Sequence, residues 1–248
     1  MTGVGHVSEI FMSKSLAAFT DRLYGEWLPS FCNARHRTCS VEGFKRESIR
    51  KLTDYDAEWF LRAVDSGIVS QENGFFLAPR SKAKEQIFWH GSKAKEPRPI
   101  TLWVEPVITI GALAVLHFTY GWPIEELGAQ SETWAFDLVG YSGEAEYLAC
   151  EVKKHHEEVS ALLSFMDIYS PQQPAVVEPT NAKERNAYRK VVGIRRTWPK
   201  IFWALGPGGD GKVYQIQRER DTHRFRLAHT DTAALKYENT RQAAASDA

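Results

Sequence analysis

The sequence predicts an α/β protein whose carboxyl-terminal part holds a β-sheet packed between helices. Two apolar runs, 135–141 and 147–153, show the alternation expected of paired strands and are separated by a turn-like segment. Helical patterns precede and follow them, at 103–120 and 159–166. Two more apolar runs flank a glycine-rich turn within 201–216, so further strands are expected to complete the sheet.

Length and composition are those of a soluble globular protein. The chain has 248 residues, 43% hydrophobic and 25% charged, enough to bury one large core or two modest ones. The first twenty residues lack the basic start and apolar run of a signal peptide. The longest apolar stretch, Val107 to Tyr120, is shorter than a membrane span. We therefore expect a cytoplasmic protein, and the odd number of cysteines argues against a disulfide framework.

The first hundred residues are predicted to form a separate, mostly helical domain, 1–98. One helix is expected from Ser8 to Trp27, closed by Pro29, and a second begins at the N-cap residue Thr53. Two short strands follow, joined by a basic loop, an order loosely similar to that of a winged DNA-binding unit. The segment Gly91 to Pro99, rich in lysine and proline, is the predicted linker to the next domain.

Two features of this first domain leave alternatives open. Its basic side chains either contact nucleic-acid phosphates or belong to a solvated loop; they are Arg80, Lys82, Lys84, Lys93, Lys95 and Arg98. Cys32, His36 and Cys39 are three soft ligands close in sequence, whereas structural zinc needs four, so ordinary thiols are favoured over a zinc site.

Three charged residues inside the central strands carry the functional prediction. Charge is rare in buried strands, yet Asp137 lies in the first run, and Glu151 and Lys153 lie in the second. If the runs form a hairpin, Asp137 and Glu151 point the same way, with Lys153 two residues further along that face. Two carboxylates would bind a hard divalent cation such as Mg²⁺, and the lysine would orient or deprotonate a metal-activated water. The alternative is a set of solvated charges on an exposed sheet face.

Asp137, thirteen intervening residues and then Glu151-Val152-Lys153 resemble the D…(D/E)-x-K signature of the PD-(D/E)XK nuclease superfamily. Phe136 stands where the family's name has proline, a position at which that proline is often absent. The family places a helix with a glutamate before the first strand, and Glu105 lies 32 residues before Asp137 at the head of such a helix. The resemblance covers roughly residues 102–217.

The resemblance implies a restriction-endonuclease-like core over residues 99–235, with a central mixed β-sheet flanked by helices. It also implies that Asp137, Glu151 and the carbonyl of Val152 bind Mg²⁺ or Mn²⁺, that Lys153 positions the attacking water, and that Glu105 assists a water or second metal. The expected activity is metal-dependent hydrolysis of phosphodiester bonds by a DNA endonuclease acting on duplex DNA. A homodimer or larger nuclease complex would bring two such sites to two strands. The alternative is a catalytically silent nucleic-acid-binding or interaction domain.

Charge is unevenly spread along the predicted core. Residues 101–180 carry two lysines or arginines against twelve acids, whereas residues 181–226 carry twelve against four. Such a pairing suits a metal site that must attract a polyanion. The alternative is that charges separated along the sequence mix again in the fold. Lys154, Arg195 and Arg196 are the predicted DNA contacts. Three acids compete with Glu105 for the role of third carboxylate: Glu125, Glu126 and Glu132. The last segment, 236–248, is predicted to be a disordered tail.

Overall fold

The structure, a computed structural model, describes residues 13–34, 39–131, 135–174, 177–220 and 222–240. A π-helical turn joins the first two α-helices of this part of the chain. Its α-helices are α1 (Lys14–Arg22), α2 (Leu28–Asn33), α3 (Asp54–Asp65), α4 (Val104–Tyr120), α5 (His156–Tyr169) and α6 (Ala182–Thr197). The helix predicted over 103–120 therefore forms close to its expected limits as α4, and α3 begins as expected with the Thr53 side chain accepting a hydrogen bond from the Asp56 N–H.

A mixed six-stranded sheet forms the centre of the molecule. Its strands run in the order β11-β10-β9-β8-β7-β6; only the β8–β9 pair is parallel. Smaller sheets are formed by β1 to β3 and by β4 with β5. The strands are β1 (Ser70–Glu72), β2 (Phe75–Leu77), β3 (Glu85–Gln86), β4 (Phe88–His90), β5 (Ile100–Leu102), β6 (Leu127–Ala129), β7 (Leu138–Ser142), β8 (Ala145–Val152), β9 (Ile201–Leu205), β10 (Gly211–Arg218) and β11 (Phe225–Thr230). The α/β class and the mixed sheet are confirmed.

Helices cover both faces of this sheet because the central strands alternate. On one face of β8, Leu148, Cys150 and Val152 belong to a core shared with α4. On the other face, Ala149 packs with Val139 of β7 in a second core formed with α5 and α6. The alternation read from the sequence therefore places these side chains on opposite faces, as expected for period-two strands.

Helix α4 is apolar on all sides and is the central helix of the first core. Its buried residues run almost continuously from Val104 to Leu116, which is the pattern of a helix enclosed by other elements. Gly111 lets α3 approach closely, because a Cβ there would lie 3.2 Å from the backbone nitrogen of Phe60. Gly121 ends the helix with φ +74°. In the described part of the chain, no helix combines the length and apolarity required to cross a membrane.

Residues on both sides of the predicted boundary at residue 98 share one hydrophobic core. In it, Trp27 and Phe76 each lie close to Phe60, with ring centroids 5.2 Å and 5.0 Å away. The same cluster continues through α4 to β8 and β9. The segment predicted as a linker is the loop between β4 and β5, closed by a 2.8 Å hydrogen bond from the Gly91 N–H to the Pro99 carbonyl.

Two local predictions differ from the structure. Pro29 does not end a helix but lies in the first turn of α2, directly after the π-helical turn that joins α2 to α1. The predicted tail packs over residues 236–240: the Tyr237 N–H donates to the Tyr120 carbonyl, and its ring lies 5.2 Å from that of Trp122. Residues 241–248 lie outside the described part of the chain.

Candidate metal centre

Asp137 and Glu151 meet where β8 ends. Because Leu138 pairs with Cys150 across the antiparallel hairpin, Asp137 stands opposite Glu151. Asp137 is fixed through its backbone, whose N–H donates to the Cys150 carbonyl and whose carbonyl accepts from the N–H of Gln130. Its Oδ2 also accepts a 2.9 Å hydrogen bond from the Val152 N–H. The structure therefore brings the two predicted carboxylates together.

Lys153 completes this group by binding two of the oxygens that the family resemblance assigns to a metal. Its Nζ lies 2.5 Å from Glu151 Oε1 and 3.1 Å from the Val152 carbonyl oxygen. The Glu151 side chain is only 2% exposed, so its carboxylate has little access to water and depends on such partners. These oxygens thus converge on a position that attracts a cation, and they are the hard donors that Mg²⁺ prefers.

Lys190, on α6, is a further member of this group that was not singled out from the sequence. Its side chain is 10% exposed, and its Nζ lies 2.5 Å from Glu151 Oε2. The same ammonium donates a 2.5 Å hydrogen bond to the Ala135 carbonyl. Helix periodicity indicates that Lys190 faces the core. The apolar residues Ala187 and Ile194 lie three positions before it and four after it on the same face of α6, and both are fully buried.

The close approach of α6 depends on Gly193. A Cβ at that position would lie 2.5 Å from the Cβ of Ala135, so a larger residue would push the helix away from the segment that leads into β7. The short distance between backbone segments brings the Lys190 ammonium within reach of both the Ala135 carbonyl and Glu151.

The two carboxyl groups differ in their readiness to ionise. Burial, reinforced by the neighbouring Glu151 charge, raises the pKa of Asp137 to about 8. Burial also disfavours the charged form of Glu151, but Lys190 and Lys153 outweigh it and lower the pKa of that group. Without a metal, Glu151 is therefore the ionised partner of the two ammonium groups, and Asp137 holds a proton at neutral pH.

Replacing Asp137 with asparagine should stabilise the metal-free protein increasingly as pH rises. Between the ordinary carboxyl pKa of 3.8 and the folded value of about 8, the folded protein keeps a proton that the unfolded chain has lost. Stability therefore falls with rising pH across that interval. Asparagine does not titrate, so the free energy of unfolding of Asp137→Asn relative to the original chain should increase across this pH interval. The difference should exceed about 1 kcal/mol and level off at higher pH. Urea unfolding in EDTA at several pH values measures this difference; a difference that is constant with pH would contradict the assignment.

Glu105 lies beside Lys153 in a pocket of about 250 Å³. It stands in the first turn of α4, where its Oε2 accepts a 3.1 Å hydrogen bond from the Trp103 indole N–H. A second acid, Glu158 in the first turn of α5, faces the same pocket and was not singled out from the sequence. The pocket is lined by Glu105, Lys153, Glu158, Ala161, Leu162, Ala182, Lys183 and Asn186.

Two other candidates for a third carboxylate lie elsewhere. Glu126 is 3.7 Å from Arg80, and that guanidinium stacks over Tyr141 near the far end of β7. Glu125 is exposed in the same short 3-10 turn as Glu126. Glu132 lies outside the described residues. Among the three candidates that the structure describes, Glu105 is the one that lines the pocket of Lys153.

The predicted DNA contacts are placed differently from one another. Lys154 is exposed directly after β8, and Arg196 is exposed in the last turn of α6. Arg195 instead donates hydrogen bonds to the backbone carbonyls of His223, Tyr169 and Gln172. These bonds tie α6 to the end of α5 and to the β10–β11 connection, so Arg195 has a structural role, and its contact with DNA stays a prediction.

Basic residues of the first hundred also divide into two groups. Arg80 and Lys84 form ion pairs, Lys84 at 2.6 Å from Glu72. Lys93 and Lys95 are exposed in the β4–β5 loop.

Two of the three soft ligands considered for zinc lie close together. The sulfurs of Cys32 and Cys39 are 3.2 Å apart, whereas His36 falls outside the described residues.

The oxygen donors at the end of β8 are too few to surround a metal ion completely, but they suit Mg²⁺. Among the residues that the structure describes, no three or more His, Cys, Asp or Glu side chains are grouped to hold an ion. Two carboxylates and a carbonyl are nevertheless sufficient for Mg²⁺, which keeps several waters in its coordination shell. Comparison with known proteins adds no family assignment: no protein-family model, curated protein or solved structure matches this chain.

Proposed function

We propose that the chain is a metal-dependent endonuclease that hydrolyses phosphodiester bonds in DNA, with a restriction-endonuclease-like core of the PD-(D/E)XK type. One observation carries the proposal: the Lys153 ammonium contacts both Glu151 Oε1 and the Val152 carbonyl oxygen, beside the Asp137 carboxyl that accepts from the Val152 N–H. Chance solvated charges on a sheet face would not be so deeply buried, nor share their partners in this way.

Asp137, Glu151 and the Val152 carbonyl would hold Mg²⁺ or Mn²⁺. When bound, the ion supplies positive charge to the phosphate and activates a water as nucleophile. Release of the Asp137 proton makes that carboxylate a better ligand. To hold the ion, Glu151 and the Val152 carbonyl would give up their contacts with Lys153, whereas Glu151 would keep its contact with Lys190.

Lys153 and Lys190 have different positions and therefore different proposed roles. The Lys153 side chain lines the pocket, so its ammonium can hold an attacking water and offset negative charge on the phosphate. Lys190 contacts Glu151 and the Ala135 carbonyl and is not among the residues that line the pocket, so it would orient the carboxylate. Glu105, which lines the same pocket as Lys153, would accept a proton or hydrogen bond from a water there.

DNA is the proposed substrate, and exposed basic residues near the site favour it. Lys154 follows the metal centre directly in sequence, and Arg196 lies on the helix that carries Lys190. Each would contribute a phosphate contact that positions the strand without reading its sequence. A dimer would supply a second site for the second strand of a duplex.

A catalytically silent nucleic-acid-binding domain is the second candidate. It is favoured by the complete ion pairing of Glu151, whose two oxygens already have ammonium partners without any metal. In such a domain the charged group would serve only to hold α6 against the sheet; its members are Asp137, Glu151, Lys153 and Lys190. The two candidates differ in whether a divalent ion binds and in whether DNA is cut.

Cleavage of supercoiled plasmid by the purified chain tests the proposal. We expect nicked or linear product with Mg²⁺ or Mn²⁺ and none with EDTA. Asp137→Asn, which keeps the shape of the side chain and loses its charge, should be inactive with either metal while retaining its fold by circular dichroism. Metal-independent cleavage, or full activity of Asp137→Asn, would contradict the proposal. DNA binding without any cleavage would favour the silent domain.

A further inference from the structure

Trp89 is a large aromatic side chain exposed to solvent. It is 58% exposed, whereas its neighbour Phe88 in β4 is fully buried. In the β4–β5 hairpin Trp89 pairs with Thr101, so both point outward from the core that receives Phe88 and Ile100. A tryptophan left this open is unusual for a residue whose burial would contribute strongly to folding.

A second tryptophan links this surface to the candidate metal centre. The Trp103 ring packs edge-on against Trp89, with centroids 5.5 Å apart and an interplanar angle of 80°. Its indole N–H donates to Glu105 Oε2, and Glu105 lines the pocket of Lys153. Trp89 therefore lies two side-chain contacts away from the pocket, and Trp103 restrains its orientation.

The loop that follows Trp89 in sequence carries net positive charge. It joins β4 to β5 and exposes Lys93 and Lys95 against one acid, Glu96. A nucleic-acid strand needs cations for its phosphates and aromatic faces for its bases, and this hairpin offers both within a few residues. An apolar protein partner would be expected instead to meet several exposed hydrophobic residues around Trp89.

We propose that Trp89, held by Trp103, stacks against an unpaired base of the DNA strand whose phosphate enters the pocket. This inference rests on the proposed function and narrows its substrate: a strand with at least one unpaired base beside the cleavage site, as in single-stranded, flapped or locally opened DNA. A base inside an intact duplex has both faces covered by its neighbours and cannot stack on a protein ring.

Binding of a short fluorescent oligothymidylate in EDTA tests the inference without cleavage. We expect Trp89→Ala to weaken binding roughly tenfold, the typical effect of losing one stacking aromatic. Trp89→Phe should restore most of the affinity, because phenylalanine keeps an aromatic face. Phe118→Ala, which removes another exposed aromatic far along α4, is the matched control and should bind like the original chain.

An oligonucleotide of the same length with abasic sites separates base stacking from phosphate contact. Abasic sites should weaken binding to the original chain by a similar factor and have little further effect on Trp89→Ala. Equal affinity of Trp89→Ala and the original chain, or no binding of oligothymidylate by the original chain, would overturn the inference.

The outcome is separable from that of the proposed function. Failure of the stacking contact leaves metal-dependent plasmid cleavage by the original chain intact, whereas failure of the nuclease proposal appears as absence of that cleavage. If Trp89→Ala loses affinity equally for oligothymidylate and for intact duplex, the contact is not with an unpaired base, and the inference is overturned while the nuclease proposal stands.

Discussion

Lys153→Met should reduce the rate of Mg²⁺-dependent DNA cleavage by at least about a hundredfold, the usual effect of removing a group that acts on the attacking water. Methionine keeps the length and apolar stem of lysine but lacks the ammonium that contacts Glu151 and the Val152 carbonyl. Single-turnover cleavage at saturating enzyme measures the chemical step separately from DNA binding.

Lys154→Met is the matched control because it removes the same charge one residue later. Lys154 is exposed and makes no part of the carboxylate group, so its loss should reduce DNA affinity and the salt dependence of binding, with little change in single-turnover rate. Wild-type cleavage by a folded Lys153→Met protein would exclude a catalytic role for Lys153. Equal losses of single-turnover rate in both variants would point to phosphate binding alone.

Lys190→Met should lower the free energy of unfolding in EDTA by about 3 kcal/mol, as expected when one partner of a buried ion pair is removed. Glu151 would then remain buried and ionised with Lys153 as its remaining ammonium partner, and the Ala135 carbonyl would lose its hydrogen bond. Urea unfolding measured with and without Mg²⁺ tests this. Added Mg²⁺ should recover part of the loss, because an ion bound by the folded state alone stabilises it.

Lys183→Met provides the control on the same helix. Lys183 is exposed in the first turn of α6, and substitutions at such positions usually change stability by less than about 0.5 kcal/mol. If Lys190→Met were as stable as Lys183→Met, the Lys190 ammonium would not be needed to compensate the Glu151 charge. A loss in EDTA that Mg²⁺ does not reduce would argue against a cation site at Glu151.

The hairpin of the candidate site was predictable because its information is local. Alternation fixes which side chains share a face, so Asp137, Glu151 and Lys153 could be placed together from their positions in two consecutive runs. The α4 helix was likewise predictable from its apolar pattern over 103–120. Asn181, a residue type common at helix starts, caps α6.

Lys190 and Glu158 were harder to foresee because they reach the site from helices distant in sequence. Local patterns do not state which helix packs on which face of a sheet, and lysines are rarely buried. The shared core of the first hundred residues was hidden for a similar reason. Helical and hairpin patterns, ending in a lysine- and proline-rich loop, suggested a separate unit, whereas Phe60 and its neighbours pack against α4 through long-range contacts.

The most direct test of the account is to locate a bound metal. Crystals grown or soaked with Mn²⁺ would show its position by anomalous scattering. The account predicts a peak coordinated by Asp137, Glu151 and the carbonyl oxygen of Val152, with the Lys153 ammonium moved from its present contacts, and no such peak in Asp137→Asn. A fully bound Mn²⁺ elsewhere, or an unchanged Lys153–Glu151 pair at saturating Mn²⁺, would contradict it.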